Sequence, residues 1–297
     1  MENKAKKGTA GINQQSFADK MKSYTKHPGS FVLLLLVLVA AVLTVGVLVF
    51  LVGYILIRGI PYLTPSLFAW TYNSENVSML PAMINTVFMT LLALLFSVPF
   101  GVGAAIYLVE YAKKGNKLVG IIRVTAETLS GIPSIIYGLF GMLFFVTALK
   151  WGYSMMAGAA TLAIMVLPVI MRTTEEALLC VPDSFREGSF GLGAGKLRTI
   201  FKIVLPSAIP GILSGIILAI GRIVGETAAL IYTSGTVASL AGFFDSGRTL
   251  AIHMYPLSRE GMHTNEAYAT AVVLLVVVLI INGISSLIAK KFEAPKN

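Results

Sequence analysis

Between residues 203 and 244 the chain carries two charges, Arg222 and Glu226, both inside the apolar stretch ILAIGRIVGETAALIYT at 217–233. A guanidinium stays protonated and presents a planar fork of N–H donors that suits an oxyanion. A carboxylate beside it limits how tightly an anion is held, which favours release over trapping. An arginine at a bilayer centre costs about 2.5–3.5 kcal/mol on insertion scales, so such residues face a packed neighbour or a water-filled path rather than lipid. Two uses fit the pair. Arg222 and Glu226 form a structural i, i+4 ion pair, or Arg222 lines an anion pathway with Glu226 paired to it or to a partner helix.

No other constellation offers chemistry. His27, His253 and His263 do not cluster with carboxylates at metal-ligand spacing, and no nucleophile stands with an acid–base partner. The single cysteine, Cys180, excludes an intrachain disulfide and reads as a small buried apolar residue. The sequence therefore implies no metal, no cofactor and no active site for covalent chemistry.

The element that must position Arg222 is a membrane helix. At 100° per residue, Gly211, Gly215, Glu226, Ala229 and Thr233 all fall within about 40° of Arg222. The charges thus share one stripe with small and hydroxyl residues, while Ile217, Ile220, Ile223 and Val224 lie away from it. The whole chain fits that setting, being 56% hydrophobic and 12% charged with a mean hydropathy of +0.81. Soluble domains run nearer about 25% charged. The formal charge of +9 is then topogenic and does not point to nucleic acid.

Six apolar segments have the length of a membrane helix, about 20 residues: 31–57, 82–109, 120–148, 157–171, 209–232 and 267–289. The first is too long for a signal-peptide core and is not followed by a good cleavage site, so it reads as an uncleaved helix. With the N-terminus inside, 18 lysines and arginines fall on the cytoplasmic side, against four outside (Arg58, Lys150, Arg248 and Arg259). That asymmetry fixes both termini as cytoplasmic. The organisation expected is a cytoplasmic segment 1–30, a first helix and external loop 31–80, a core 81–291 with a cytoplasmic loop 172–208, and a tail 292–297.

The cytoplasmic loop contains GLGAGK at 191–196, but this is not a nucleotide site. A P-loop would need glycine at Phe190 and a hydroxyl at Leu197, and a dinucleotide fingerprint would need glycine at Lys196. A different parse fits. Glu187-Gly188-Ser189 is followed after three residues by Gly193, after nine more by Ile203, and then by Leu205-Pro206. Gly193 suits a left-handed backbone position, Pro206 breaks or restarts a helix, and Leu197, Ile200 and Phe201 make one apolar face.

This spacing resembles the EAA signature of binding-protein-dependent ABC importer permeases, with Gly188 and Ser189 in place of two alanines. ETLSGIPSIIYGLFG at 127–141 and GRIVGETAALIYT at 221–233 are similar to the phosphate-specific members, on the PstA-like side of the PstC/PstA pair. The resemblance implies an all-α integral membrane protein of six transmembrane helices, a type I importer core of five plus an N-terminal helix, in the bacterial inner membrane. It implies a PstC-like partner permease, two copies of an ATP-binding subunit docked on Glu187, Gly188, Ser189, Gly193, Ile203, Leu205 and Pro206, and an external phosphate-binding protein. It also supports Arg222 and Glu226 as phosphate-pathway residues. Arg172, at the expected inner end of the fourth span, is a further candidate that topogenesis explains equally well. Sulfate or molybdate as cargo, and a self-sufficient anion channel or secondary transporter, remain alternatives.

Overall fold

The computed structural model describes residues 28–113, 115–259, 261 and 263–292. His27, the six N-terminal lysines, Lys114 and Lys296 lie outside the described residues, as do most of the 1–30 segment and the tail. The chain divides into two compact units, 1–57 and 58–297. The first contains most of α1 (Pro28–Gly59), which is apolar all round and has no buried side chain between Phe31 and Ile57. A helix with that pattern suits lipid.

Among the described residues of the second unit every regular element is helical, and irregular stretches such as 69–79 and 232–249 join them. Helix α2 (Leu80–Ile106) ends in a π-turn, Tyr107–Tyr111. Helices α3 (Lys117–Ser130) and α4 (Ser134–Gly141, continued as a π-helix to Ala148) follow. Then come α5 (Met155–Leu179), α6 (Asp183–Gly191) and α7 (Lys196–Thr199), which runs through a π-turn into α8 (Leu205–Val224). A single turn, α9 (Ala228–Ile231), precedes α10 (Leu250–Arg259) and α11 (Thr264–Phe292). Among the described residues five helices are long and apolar enough to span a membrane, and six spans result if the α3–α4 pair counts as one.

Three expected spans differ from the observed helices. The third, expected as one run over 120–148, is bent by 101° between α3 and α4. Pro133 lacks an N–H and pushes its predecessor out of helical geometry, so the break falls at Gly131-Ile132-Pro133. The fourth, expected to end at 171, runs on to Leu179. Glu175, Glu176, Ala177 and Leu178 are good helix formers, and an Arg172–Glu176 pair at i, i+4 supports the extension. Residues 172–179 of the expected cytoplasmic loop are therefore helical. The fifth, expected to run to 232, stops at Val224, where Gly225 ends the helix and the chain turns.

Small residues set how the helices meet. A Cβ at Gly101 would lie 2.9 Å from Ile170, and one at Gly158 would lie 2.7 Å from Met89. Both pairs have the same sequence offset, so α2 and α5 run parallel and stay in register along their length. Gly211 and Gly215 of α8 press on Ala177 and Thr173 of α5, which makes α8 antiparallel to α5. Close backbone approach at small residues is the usual way membrane helices pack. One buried core joins Met89, Leu92, Tyr137, Leu162, Val166, Ile223 and Leu230. A second, near α6, joins Leu108, Met171, Leu178, Val204 and Ala208.

Candidate functional site

Helix α8 delivers Arg222 in its last turn, where the carbonyl end of the helix dipole favours a cation. Its guanidinium is half-buried and makes no hydrogen bond or ion pair among the described residues. The next residue, Ile223, packs in one buried core with Tyr137 of α4. That side chain is 5% exposed, and its hydroxyl donates to the Leu129 carbonyl across the α3–α4 bend at 2.7 Å. Arg222 therefore stands where α8 ends, with no donor committed among the described residues.

Glu226 is not its ion-pair partner. The helix ends between them, and Glu226 sits in the turn with its backbone N–H donating to the Ile223 carbonyl at 3.2 Å. Its buried carboxylate accepts the Ala229 N–H at 3.0 Å and so holds the start of α9. The shared stripe assumed one continuous helix. Gly211 and Gly215 of that stripe face α5, while Ala229 and Thr233 belong to the segment beyond the turn. In that segment Thr233 donates to the Ala229 carbonyl at 2.9 Å.

Arg172 does not join Arg222. The antiparallel register places residue 222 opposite residue 166, about 9 Å along the axis from residue 172. The Arg172 side chain is 56% exposed and bridges Glu176 at 3.2 Å and Glu127 at 3.6 Å. It lines a cleft of about 260 Å³ with Arg123, Glu127, Glu175 and Glu176. Three carboxylates against two guanidiniums make that cleft a poor anion site.

The EAA-like residues come together at the opposite end of the bundle from α10. Glu187 and Gly188 are exposed on α6, and Ser189 is buried with its hydroxyl 2.8 Å from that of Thr199. Gly193 has φ +81°, a left-handed conformation that favours glycine, and no atom lies within 4 Å of where its Cβ would stand. Ile203 and Leu205 are half-buried, and the exposed Pro206 lies in the first turn of α8. The apolar face expected of Leu197, Ile200 and Phe201 is split. Ile200 is 1% exposed, whereas Leu197 and Phe201 are exposed, because the π-turn changes the residue spacing after Thr199. Cys180, expected to be buried, is exposed at the α5–α6 junction.

Sequence reasoning missed the side chains that fix these segments. Arg186 donates from Nε and Nη2 to Glu110 at 3.0 and 2.8 Å, and from Nη1 and Nη2 to the Val181 and Leu178 carbonyls at 2.7 and 2.9 Å. At the other end Arg248 is buried over the Tyr72 ring at 4.5 Å, and His253 meets the same ring edge-on. Burial and the Arg248 charge lower the His253 pKa to about 3, so that imidazole is neutral. Among the described residues no three His, Cys, Asp or Glu form a metal-binding group.

Solved structures share this architecture. The inward-facing MetNI methionine ABC transporter aligns with TM-score 0.57 at 20% identity over 72% of this chain and 94% of that one. A bacterial ABC transporter that imports the acidic polysaccharide alginate aligns with TM-score 0.66 at 15% identity over 93% and 99%. These establish the type I ABC importer permease fold. In sequence, the chain is 34% identical over 278 residues to "Probable ABC transporter permease protein YqgI" of Bacillus subtilis, covering 86% of this chain and 94% of that one. It is also 34% identical over 230 residues to phosphate transport system permease protein PstA 1 of Mycobacterium tuberculosis, covering 74% and 75%. The PstA of Yersinia pestis matches at 34% over 224 residues, 74% and 75% of the two chains. Residues 97–294 match the model of binding-protein-dependent transport system inner membrane components, and the chain belongs to that family of ABC importer permeases.

Proposed function

We propose that this protein is the PstA-like permease subunit of an ATP-driven phosphate importer. Arg222 carries the reading: it is a half-buried cation at the α8 turn, with no hydrogen bond or ion pair among the described residues. The PstA relatives support phosphate as the cargo. A homologous PstC-like permease completes the pathway, and two copies of an ATP-binding subunit dock on α6 and the turn around Gly193. The excess of basic residues on the α6 side makes that side cytoplasmic, together with both termini. A loaded phosphate-binding protein docks on the outer side, ATP closes the ATPase dimer, and α6 moves with it. The permease pair turns outward, takes phosphate against Arg222, and releases it inward after hydrolysis. Glu226 contributes by holding the turn that aims Arg222.

The experiment is uptake of labelled phosphate by vesicles holding the assembled complex. Arg222→Gln abolishes uptake with assembly intact, and Arg222→Lys keeps part of it, since a point charge replaces a planar fork. Glu226→Gln keeps an acceptor for the Ala229 N–H, so it retains most uptake but does not rescue Arg222→Gln. Full uptake in Arg222→Gln removes the pathway role. Uptake of sulfate or molybdate in place of phosphate reassigns the cargo.

A further inference from the structure

Helix α2 is clamped by side chains at both ends, to α6 at one and to the segment between α9 and α10 at the other. At the inner end Glu110 lies in the π-turn that finishes α2, with its side chain only 9% exposed. Its Oε1 accepts from both Nε and Nη2 of Arg186, which stands on α6 beside the docking residues. The two Arg186 bonds to the Leu178 and Val181 carbonyls tie the same guanidinium to the end of α5. Charge-assisted bonds of this type are about twice as strong as neutral ones. π-Turns recur at functional positions, and this one carries Glu110.

At the outer end Asn85 is 1% exposed and uses both sides of its amide. Its Nδ2 donates to the Ser239 and Arg248 carbonyls at 2.9 and 3.2 Å, and its Oδ1 accepts the Ala241 N–H at 3.2 Å. The next residue, Thr86, accepts the Leu250 N–H at 2.9 Å. These bonds hold the segment between α9 and α10. Between the clamps α2 runs for about 40 Å with Pro99 inside it, and α5 braces it on both sides of that proline, at Met89 and Gly101. One turn inward from Asn85, Met89 packs around Gly158 with Leu230 and Ser234, from the segment that begins at the α9 turn.

We propose that α2 is the rod that carries movement of α6 to the outer segment 233–250. Glu110, Arg186 and Asn85 are its positioning residues. The inference rests on the importer reading and adds the route between its two ends. Braced by α5 across Pro99, α2 has one end fixed to the ATPase-docking helix and the other to the outer segment, and so moves both together. Loss of either clamp leaves docking in place and breaks transmission.

The test is the number of phosphates imported per ATP hydrolysed by the reconstituted complex with loaded binding protein. Glu110→Gln leaves Arg186 free to keep its carbonyl bonds, and Asn85→Ala removes the outer clamp. Each lowers the ratio about five- to tenfold, the range of a typical coupling energy, with ATPase co-purification unchanged. The double variant falls no further than the worse single, because one rod serves both clamps. Should Asn85→Ala fail to assemble, the isosteric Thr86→Val cuts the bond to Leu250 and reads the same clamp. Wild-type ratios in the singles overturn the rod, as does a double variant that falls by the product of the two losses. A loss explained by failed co-purification also overturns it. Absence of phosphate-driven hydrolysis in the wild-type complex counts instead against the importer reading, and takes the rod with it.

Discussion

Gly138→Ala tests whether the α4–α9 contact sets the geometry around Arg222. A Cβ at Gly138 would lie 2.7 Å from the Ala229 Cα and 3.1 Å from the Ala229 carbonyl oxygen. Carbon atoms settle at about 3.5–4.0 Å, and these are backbone atoms that cannot rotate away. The α9 turn must therefore retreat by about 1 Å, and overpacking of this kind costs about 1–3 kcal/mol. Ala229 also receives the Glu226 carboxylate, so the displacement passes through that bond to the Gly225 turn and Arg222. Gly103→Ala in α2 is the control, since nothing lies within 4 Å of its Cβ position. Replacing that exposed helical glycine stabilises by about 0.5–1 kcal/mol. The assays are thermal unfolding of the purified protein and phosphate uptake by the complex. Gly138→Ala should lower both while Gly103→Ala lowers neither. Wild-type stability and uptake in Gly138→Ala would refute the steric reasoning.

Acidification from pH 7 to pH 5 should destabilise the protein by about 2 kcal/mol through His253. Its folded pKa is about 3 against the ordinary histidine value of 6.5, so below 6.5 protons bind the unfolded chain first. Stability is fully present above 6.5 and is lost as pH falls toward 3. His253→Gln should flatten that part of a denaturation profile taken against pH, and an unchanged profile would show that His253 titrates normally. Gly193→Asp should cost about 1–2 kcal/mol locally, because a non-glycine residue resists the left-handed conformation, and should weaken ATPase co-purification. Glu187→Lys should weaken the same association with thermal stability unchanged, since Glu187 is exposed. Wild-type association in both variants would remove α6 and its turn as the docking element.

Apolar run length made α1, α2 and α11 legible, because a stretch of Val, Leu and Ile longer than the bilayer is thick has few alternatives. The ends of α5 and α8 were less legible for opposite reasons. Arg172, Glu175 and Glu176 resemble a loop by charge, yet they are helix formers that pair with each other and with Arg123 and Glu127. Beyond Val224 the apolar content continues through Leu230, so periodicity ran on where Gly225 ends the helix. That error placed Glu226 on the Arg222 stripe. Of the candidate residues, Gly193 reads from the sequence as a flexible or left-handed position, and its φ of +81° is the left-handed one. Arg186 was read only as a topogenic charge, since its partner Glu110 lies 76 residues away and no local pattern joins them.

The most direct measurement of the central claim is labelled-phosphate uptake into vesicles that contain this protein alone, or with its partner permease, ATPase and loaded binding protein. The account predicts uptake only in the complete system, with ATP on the ATPase side, and no flux from this chain alone. Phosphate flux through the isolated protein, without ATP or binding protein, would contradict it and make the chain a channel or secondary transporter.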